Sequence, residues 1–381
     1  MTRPGATAKP TDRHYASVTG HPGALGSFRR ILKVCNLGRI DRAYVPRLLT
    51  ISLTSLLSGP FRIWEQAAYG RLTAQTSIPP SPIFVIGHWR SGTTHLQNLL
   101  CRDRNLGYLS GFQAIAPGFS LVGKKGIRRL LARVVEPRNR TRPMDSIPFS
   151  LDAPQEEELA LANMTAHSFS HAFVVPRLAE RLFQQYVMFD DGTGEAKERW
   201  VKSYLTLLRR ITLATGGRRL LLKNCTNTAR IPTLLDLFPD AKFVYVHRNP
   251  YDVFMSTMHL HRSLLSVCQL QHISDGDVER NVLRFYRQLM LRFLSDRPRI
   301  PTGSFVELSY EDLDRDPLRE VRKIYSSLDI PGFADAEPSL RSYIRSVRSY
   351  RKNKYRLEPG TIAKVNRNWA FAFDQWQYEI L

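Results

Sequence analysis

The sequence predicts a three-layer α/β fold, in which helices cover both faces of a central parallel sheet. Short apolar runs alternate along the chain with longer stretches of helical periodicity, and this alternation is typical of strand–helix–strand units. Residues 82–87 are apolar at nearly every position, as strands buried on both faces of a parallel sheet are. With 381 residues, 43% of them hydrophobic, the chain is long enough for one large domain.

Four short apolar runs are the expected strands, at residues 82–87, 219–223, 242–247 and 304–309. Each is followed by a stretch of helical pattern, and these helices are expected to begin near Thr93, Thr228, Tyr251 and Asp312. A further helix is expected over residues 278–294, where apolar side chains recur at helical spacing. Because a helix follows each strand, successive strands are expected to run parallel.

The chain is strongly basic, with 55 Lys and Arg against 34 Asp and Glu and a formal charge of +21. This charge favours anionic partners, namely nucleotides, nucleic acid or acidic lipid headgroups, but does not choose among them.

The four cysteines lie far apart, which argues against a disulfide framework or a zinc site and fits a reducing cytosol. The N-terminus lacks the apolar stretch of a secretory signal, so we expect a cytoplasmic protein.

One uncharged run of 13 residues, Leu48 to Pro60, is too short to span a bilayer. A helix buried in the protein core is the favoured interpretation of this run. A peripheral contact with the inner membrane surface is the alternative.

The strongest local motif is Gly-His-Trp-Arg-Ser-Gly-Thr-Thr, residues 87–94, which joins the first expected strand to its helix. This is the spacing of a phosphate-binding loop, where backbone N–H groups and a helix N-terminus hold phosphate oxygens. Nucleotide triphosphatases carry Lys directly after the second glycine, but here that residue is Thr93 and the nearest cation is Arg90. A donor with a single 5′-phosphate and a transferable group fits this loop better than a triphosphate with magnesium does. The alternative is an ordinary strand-to-helix turn.

This loop resembles the 5′-phosphosulfate loop of the sulfotransferases, which carries Lys or Arg before Ser-Gly-Thr-Thr. The stretch from Lys242 to Ser256 resembles the family's second nucleotide motif, an Arg at a strand end followed eight residues later by Ser. The resemblance implies a P-loop-like fold and the co-substrate 3′-phosphoadenylyl sulfate, with Arg248 and Ser256 holding its 3′-phosphate. It assigns the 5′-phosphosulfate to Arg90, Ser91, Gly92, Thr93 and Thr94.

Two further stretches extend the resemblance toward the C-terminus. Ser309 to Pro317 resembles the segment in which a Tyr contacts the adenine, a role that falls on Tyr310, and His95 stands where many members have an aromatic that stacks on adenine. The run from Tyr350 to Tyr355 resembles the basic segment of bacterial sulfotransferases that folds over the nucleotide. It would bring three side chains to the 3′-phosphate, those of Arg351, Lys352 and Asn353; a solvated basic run is the alternative.

Sulfuryl transfer to a hydroxyl requires cations for the developing charge and a base for the acceptor proton. Arg90 supplies one cation, and Lys223 matches a family Lys that follows a buried strand. Cytosolic members use a His two residues after that Lys, whereas this chain has Cys225.

Bacterial relatives resemble this chain better and have an acidic cluster elsewhere, here residues 152–158, so Glu156 is the first candidate for the base and Glu158 the second. Mutual repulsion of these carboxylates could raise one pKa toward neutrality. The competing interpretation is a helix start, with Pro154 at the first helical position and the glutamates stabilised by the helix dipole.

The resemblance implies a catalytic domain over residues 78–381 and an extension over residues 1–77, of which about the first 25 are expected to be disordered and the rest helical. Between Asn105 and Arg218 a helical insertion is expected to cover the acceptor pocket. Its phenylalanines suggest a partly apolar acceptor, and the acceptor classes considered are lipid, sterol, phenol and carbohydrate hydroxyls.

No metal is expected, because the closely spaced histidine pairs lack a third ligand.

Two alternatives to a sulfotransferase remain open at this point. A nucleotide kinase-like phosphotransferase would explain the loop and the sheet, but Thr93 replaces its Lys. A non-catalytic nucleic-acid-binding protein would explain the charge, but the basic residues are spread through the chain and no specific nucleic acid is expected.

Overall fold

A computed structural model describes residues 21–124, 126–136, 150–348 and 355–381. The described residues form a five-stranded sheet. Its strands are β1 (Ile83–Gly87), β2 (Leu106–Gly107), β3 (Arg219–Lys223), β4 (Lys242–His247) and β5 (Phe305–Ser309). Four of the five correspond to the predicted strands within one residue. The fifth, β2, was not predicted, because two residues are too few for any periodic pattern.

Every strand pair in the sheet is parallel, and the strand order is β2-β3-β1-β4-β5. Strand β1 is therefore central, with Phe84 opposite Leu222 of β3 on one side and opposite Phe243 of β4 on the other. All carboxyl ends of parallel strands meet at one edge of the sheet, where ligands of α/β proteins bind.

Sixteen α-helices surround the sheet in the part of the chain that the structure describes. They are α1 (Phe28–Cys35), α2 (Val45–Leu57), α3 (Gly59–Gln75), α4 (Thr93–Leu100), α5 (Gly111–Ile115), α6 (Gly126–Val135), α7 (Glu157–Met164), α8 (Ala179–Phe183), α9 (Glu195–Thr215), α10 (Ile231–Leu237), α11 (Pro250–Cys268), α12 (Asp275–Asp296), α13 (Tyr310–Arg315), α14 (Pro317–Ser327), α15 (Phe333–Ser346) and α16 (Pro359–Trp376).

The two faces of the sheet bury separate cores, which makes the fold three-layered as predicted. Phe84 and Ile86 of β1 point into the larger core, together with residues of α7, α9, α12 and α16. Ile83 and Val85 point the other way, into a core shared with α4, α14 and α15. Alternate residues of one strand thus supply both cores, which is why these strands read as continuous apolar runs.

The predicted helix starts hold at Thr93 and within about two residues at Tyr251 and Asp312, the usual uncertainty of helix boundaries. The predicted helix over 278–294 is the middle of α12. The start near Thr228 is wrong: residues Cys225–Ala229 form a 3₁₀ turn, and α10 follows only from Ile231. Asn224 accepts a hydrogen bond from the Thr226 N–H and so opens that turn.

The described residues of 105–218 are mainly helical, as expected of an insertion, and include α5, α7, α8 and α9. The chain from residue 21 also forms helices, of which α1 is the first. The buried His21 lies 3.1 Å from the carbonyl oxygen of Cys268. The expectation for residues 1–20 lies outside the described residues.

The turn between β1 and α4 depends on Gly92. Its φ is +99°, and an added Cβ would lie 2.2 Å from the Tyr310 ring. We therefore expect Gly92→Ala to be destabilising both through backbone strain and through this clash. Gly303 is the matched control, since its φ is +75° but nothing described lies within 4 Å of an added Cβ.

Gly303→Ala should lower the free energy of unfolding by about 1–2 kcal/mol, the strain alone, and Gly92→Ala by at least about 1 kcal/mol more. Urea unfolding of both variants measures the difference. Equal losses would mean that Tyr310 does not restrict the turn.

Candidate active site

A cleft of about 910 Å³ opens at the carboxyl edge of the sheet. Segments that follow β1, β4 and β5 line it, together with α4, the N-terminal end of α7 and residues of α15. Nine of the predicted site residues line the cleft: Arg90, Gly92, Thr93, Thr94, His95, Glu156, Arg248, Ser256 and Tyr310. Sheet topology explains this convergence, because residues distant in sequence follow adjacent parallel strands.

The loop of residues 88–92 is shaped by unusual backbone angles. Gly87 and Gly92 have φ of +144° and +99°, and Arg90 itself adopts a φ of +70°. Gly92 is the N-cap of α4 and has no side chain with which to cap it, so the first N–H groups of the helix stay open to an anion. The loop therefore has the geometry of a phosphate-binding turn.

Arg90 and Ser256 meet across the cleft, although 166 residues separate them. The Arg90 Nε donates a hydrogen bond of 2.8 Å to the Ser256 Oγ. The Tyr355 hydroxyl lies 3.5 Å from the same oxygen. The predicted 5′-phosphosulfate cation and the predicted 3′-phosphate hydroxyl thus lie within contact of each other.

Arg248 lies at the end of β4 with its guanidinium over the Tyr310 ring, 4.5 Å from the ring centroid. Its Nη2 donates to Asp252 at 2.9 Å and its Nη1 to the Arg90 carbonyl at 3.3 Å. Its buried Nε finds no hydrogen-bond acceptor among the described residues. A buried donor without an acceptor calls for a ligand, and an anion in the cleft would supply one.

The strand end that carries Arg248 is braced from behind by the C-terminal part of the chain. The Tyr378 hydroxyl donates to Glu311 at 2.8 Å and lies 2.9 Å from the His247 Nδ1. Glu311 also accepts the Asn249 N–H at 3.1 Å. The residues on either side of Arg248 are therefore both tied into one network.

Glu156 lies beside Lys223 at the cleft. The Lys223 ammonium forms an ion pair with the Glu156 carboxylate and a 3.2 Å contact with the Thr94 hydroxyl. Lys223 is only 3% exposed, whereas the Glu156 side chain is 28% exposed and reaches the cleft. The first-choice base, the predicted cation and the phosphate loop are thus adjacent, an arrangement suited to removing a proton next to a bound anion.

The helix start at Glu156 differs from the predicted one. Pro154 is not the first helical residue; it pairs with Ser110 in an isolated β-bridge, and α7 begins only at Glu157. Glu156 occupies the N-cap but its side chain makes no capping hydrogen bond. Its carboxylate instead contacts Lys223, so the interpretation as a stabilised helix start does not describe this residue.

Glu158, the second candidate for the base, is not in the cleft. It is 3% exposed and accepts hydrogen bonds from Asn224, Thr226 and Arg230 at 2.9–3.0 Å on one oxygen. The other oxygen accepts the Ser168 hydroxyl and the Phe169 N–H. Burial alone would raise the pKa of Glu158, but the Arg230 guanidinium and these donors outweigh it and hold the pKa below its ordinary value. The position of Glu158 thus corrects the expectation, because it has no access to an acceptor.

Glu157, which the sequence did not single out, is the carboxyl group with the raised pKa. It is fully buried, and its Oε1 accepts the Lys223 N–H at 2.8 Å. Burial, assisted by the neighbouring Glu156 charge, raises the pKa of Glu157 to about 8 against the opposing influence of Lys223. The expected repulsion therefore acts on this residue, with burial as the larger cause.

Cys225 occupies the position of the histidine base of cytosolic sulfotransferases, and its environment keeps it a thiol. It is buried 3.7 Å from the Thr93 hydroxyl and 3.8 Å from the Glu156 carboxylate. Burial and the nearby Glu156 charge raise the pKa of Cys225 well above its ordinary range. The thiol is thus a poor candidate for a base at neutral pH.

Some predicted residues are placed differently or lie outside the described part. The Ser91 hydroxyl donates back to the His88 carbonyl at 2.8 Å and does not line the cleft. Arg351, Lys352 and Asn353 lie outside the described residues. The sequence did not single out Trp89, Leu260 and the residues of α15 that line the cleft, and Trp89 alone could have been suspected from its place inside the loop motif.

The fold and the cleft together define an α/β group-transfer enzyme with an anion-binding loop and an adjacent carboxylate–lysine pair. Comparison with known proteins is consistent with this class. The sequence pattern of the Sulfotransferase family matches residues 82–335. A curated relative, the omega-hydroxy-beta-dihydromenaquinone-9 sulfotransferase Stf3 of Mycobacterium bovis, is 31% identical over 328 residues, which cover 85% of this chain and 82% of the relative.

Solved structures agree in fold. The sulfotransferase STF9 from Mycobacterium avium superposes with a TM-score of 0.70 at 21% identity, covering 97% of each chain. The sulfotransferase STF1 from Mycobacterium tuberculosis gives 0.64 at 19% identity, covering 95% of this chain and 99% of the other.

The chain belongs to the sulfotransferase family and is a sulfotransferase. Membership sets aside both alternatives, the kinase-like phosphotransferase and the nucleic-acid-binding protein. Within the described ranges, no helix is both long and apolar enough to cross a membrane.

The two buried glutamates of α7 predict opposite dependences of stability on pH. The pKa of Glu157 is 4.5 in the unfolded state and about 8 in the folded state. Between these two values Glu157 is therefore protonated in the folded state and ionised in the unfolded state. Folding stability from this group is complete below the lower value and is lost as pH rises through the upper one. Glu157→Gln, which stays neutral, should therefore gain stability relative to the unchanged protein between about pH 5 and about pH 9.

Glu158→Gln is the matched comparison, one residue away and equally buried. Its lowered pKa contributes stability above the unfolded pKa, which is lost as pH falls through the folded value. Removal of its charge leaves Arg230 buried without its partner and should cost about 3–5 kcal/mol at neutral pH, less in acid. Urea unfolding across this pH range separates the two, and parallel pH profiles would contradict the assignment.

Proposed function

We propose that this sulfotransferase takes its sulfuryl group from 3′-phosphoadenylyl sulfate and transfers it to a hydroxyl group of a largely apolar, lipid-like acceptor, with Glu156 as the base. The observation that carries the proposal is the ion pair of Glu156 with Lys223 beside the Thr94 hydroxyl. A proton acceptor and a cation thereby adjoin the phosphate loop, inside the cleft that also contains Arg248 and Ser256.

The residues of the cleft fit a donor with two separate phosphate groups. The N–H groups of residues 91–94 and the Arg90 guanidinium would hold the 5′-phosphosulfate at the N-terminus of α4. Arg248, with a buried Nε that lacks an acceptor among the described residues, and Ser256 would hold the 3′-phosphate. His95 and Tyr310 line the same cleft and would contact the adenine.

We further propose that the basic run contributes Arg351, Lys352 and Asn353 to the 3′-phosphate, although these residues lie outside the described ranges. All proposed catalytic and nucleotide-binding groups then fall within residues 78–381, which we take as the catalytic domain. The extension over residues 1–77 contains none of them.

The proposed chemistry forms a bond from the acceptor oxygen to sulfur while the bond from sulfur to the bridging oxygen of the 5′-phosphate breaks. Glu156 removes the hydroxyl proton as the acceptor attacks in line. The charge that develops on the bridging and sulfuryl oxygens is stabilised by Arg90 from the loop and by Lys223 from the end of β3. Before transfer, the ion pair with Lys223 holds the Glu156 carboxylate in place at the cleft.

The acceptor class follows from the cleft wall and from the curated relative. Trp89 and Leu260 present apolar surface to the cleft, and the Trp89 ring lies 5.5 Å from that of Phe169. The relative's name specifies an omega-hydroxyl of a dihydromenaquinone, a polar group on a long apolar molecule. A lipid-like alcohol is accordingly the favoured acceptor among the lipid, sterol, phenol and carbohydrate hydroxyls considered.

A 3′-phosphate site makes a quantitative prediction for nucleotide binding. The chain should bind adenosine 3′,5′-bisphosphate about 10- to 100-fold more tightly than AMP, because charge-assisted hydrogen bonds to the second phosphate contribute about 1.5–3 kcal/mol. Arg248→Ala should abolish this ratio, while Arg262→Ala, an exposed cation on the same helix α11 as Ser256, should keep it. Calorimetry with both nucleotides measures the ratio, and equal affinities for the unchanged protein would exclude the site.

Replacing the base tests the chemistry separately. Glu156→Gln should bind adenosine 3′,5′-bisphosphate normally but lower turnover about 100-fold or more, because the amide keeps the shape without the basicity. Asp152→Asn is the matched control, since that carboxylate belongs to the same acidic stretch but forms an exposed ion pair with Arg128. Turnover is measured with radiolabelled donor and a panel of lipid, sterol, phenol and sugar alcohols. Full activity of Glu156→Gln would remove this residue from the mechanism.

A further inference from the structure

Helices α2 and α3 present large apolar side chains to solvent. The expectation that the run 48–60 is core is wrong for most of its leucines. The exposed apolar surface consists of Val45, Leu49, Leu53, Leu56, Leu57, Phe61, Ile63, Trp64 and Leu72. Leu53 is 57% exposed, Leu57 68% and Ile63 73%. So many large exposed apolar side chains on two consecutive helices are unusual for a soluble monomer and mark an interaction surface.

The same two helices bury polar groups on their inner faces. Arg47 and Glu65 are each 1% exposed. Arg47 donates to the carbonyl oxygens of Gln269 and Ser266 at 2.9 Å, and Glu65 pairs with Arg210 at 2.6 Å. The usual order of a surface helix is thus inverted, with charges anchoring the helices inside and leucines outside.

The outer side chains fall on helical stripes. Val45, Leu49 and Leu53 recur every four residues on α2, with Leu56 one turn further on. On α3, Phe61 and Trp64 lie on one stripe with Leu72. A stripe of this kind lies parallel to the plane of a membrane interface when its helix is docked there, and Trp favours that interface.

The stretch of chain that carries the exposed apolar surface is rich in cations. The chain from 21 to 80 contains eight Lys and Arg but only two carboxylates. Both carboxylates are compensated, Glu65 by Arg210 and Asp41 by Arg177. Five cations of this stretch are exposed: Arg29, Lys33, Arg39, Arg42 and Arg71. An apolar surface on a stretch with an excess of exposed cations complements a bilayer that contains anionic lipids.

The surface is also linked to the proposed base through a short path. At the junction of α2 and α3, Ser55 donates to the Gly26 carbonyl at 2.5 Å. The adjacent Ser27 N–H bonds the carbonyl of Asn163, near the end of α7. Glu156 caps the other end of that eight-residue helix, a length of about 12 Å. The contacts of α7 thus connect the junction of α2 and α3 at one end with the proposed base at the other.

We propose that the exposed apolar surface of α2 and α3 docks on the face of an anionic lipid bilayer, from which the enzyme draws its acceptor. The source of the acceptor rests on the proposed function. Docking itself requires neither donor nor acceptor, so vesicle binding tests it independently of catalysis.

The test is co-sedimentation of the whole chain with vesicles of phosphatidylcholine alone and of phosphatidylcholine with phosphatidylglycerol. The unchanged protein should bind the anionic vesicles more tightly. The triple variant Leu49→Ser, Leu53→Ser, Trp64→Ser should bind at least about 10-fold more weakly, because each truncation removes several buried methylene groups. A control triple variant, Leu130→Ser, Leu291→Ser, Ile380→Ser, removes exposed apolar side chains elsewhere and should bind unchanged.

A second set of variants tests the contribution of the exposed cations to vesicle binding. Arg42→Gln with Arg71→Gln should weaken binding to anionic vesicles about 25-fold, roughly fivefold for each cation, and the loss should shrink at high salt. Arg181→Gln with Arg287→Gln, two exposed cations on other helices, should have no effect.

Circular dichroism and nucleotide binding confirm that each variant is folded. Failure of the unchanged protein to bind anionic vesicles, or undiminished binding by the apolar triple variant, would overturn the proposal. Self-association of the unchanged protein in gel filtration that the triple variant loses, without vesicle binding, would assign the surface to a second copy instead. Loss of acceptor sulfation with intact vesicle binding would count against the proposed function alone.

Discussion

The buried ion pair between Glu158 and Arg230 is the interaction on which the arrangement of the active site depends. Arg230 is fully buried beyond the end of β3, and Glu158 lies in the first turn of α7. A buried pair is stabilising only when its remaining hydrogen bonds are satisfied, and Glu158 accepts bonds on both oxygens. The pair holds α7 against the segment after β3, so that Glu156 and Lys223 meet at the cleft.

The phosphate loop illustrates a second constraint, which is steric. Gly87 lies where an added Cβ would be 2.5 Å from the Val246 carbonyl, and Gly92 lies under the Tyr310 ring. Arg90 accepts a left-handed backbone conformation between them, and its carbonyl is held by Arg248. Strain of this kind persists only where the surroundings enforce it, and here β4 and α13 both do so. The proposed anion site and the strand that ends next to Arg248 are thus built as one unit.

Sequence reasoning succeeded where a local pattern was sufficient. The strands, the start of α4 and the convergence of Arg90, Arg248 and Ser256 follow from apolar runs and from motifs tied to strand ends. It failed where the outcome depends on partners distant in sequence. The start of α7 moved because Pro154 pairs with Ser110, and Glu158 became structural because Arg230 lies beside it. The leucines of α2 were predicted to be buried, but most are exposed, and Arg47 on the same helix is buried instead. Composition alone does not show which face of a helix is buried.

The brace behind Arg248 has a consequence for how the enzyme is made. The Tyr378 hydroxyl lies near His247 at the end of β4, and the Trp376 indole donates to Glu307 in the middle of β5 at 2.7 Å. The phosphate loop leaves the ribosome almost 290 residues before these braces exist. Once β4 and Ser256 have been made, the nascent chain therefore carries unpaired apolar strands and an unbraced site until its last helix follows, a period in which exposed strands are prone to misassembly. The proposed nucleotide site would therefore be complete only on chains in which α16 has docked.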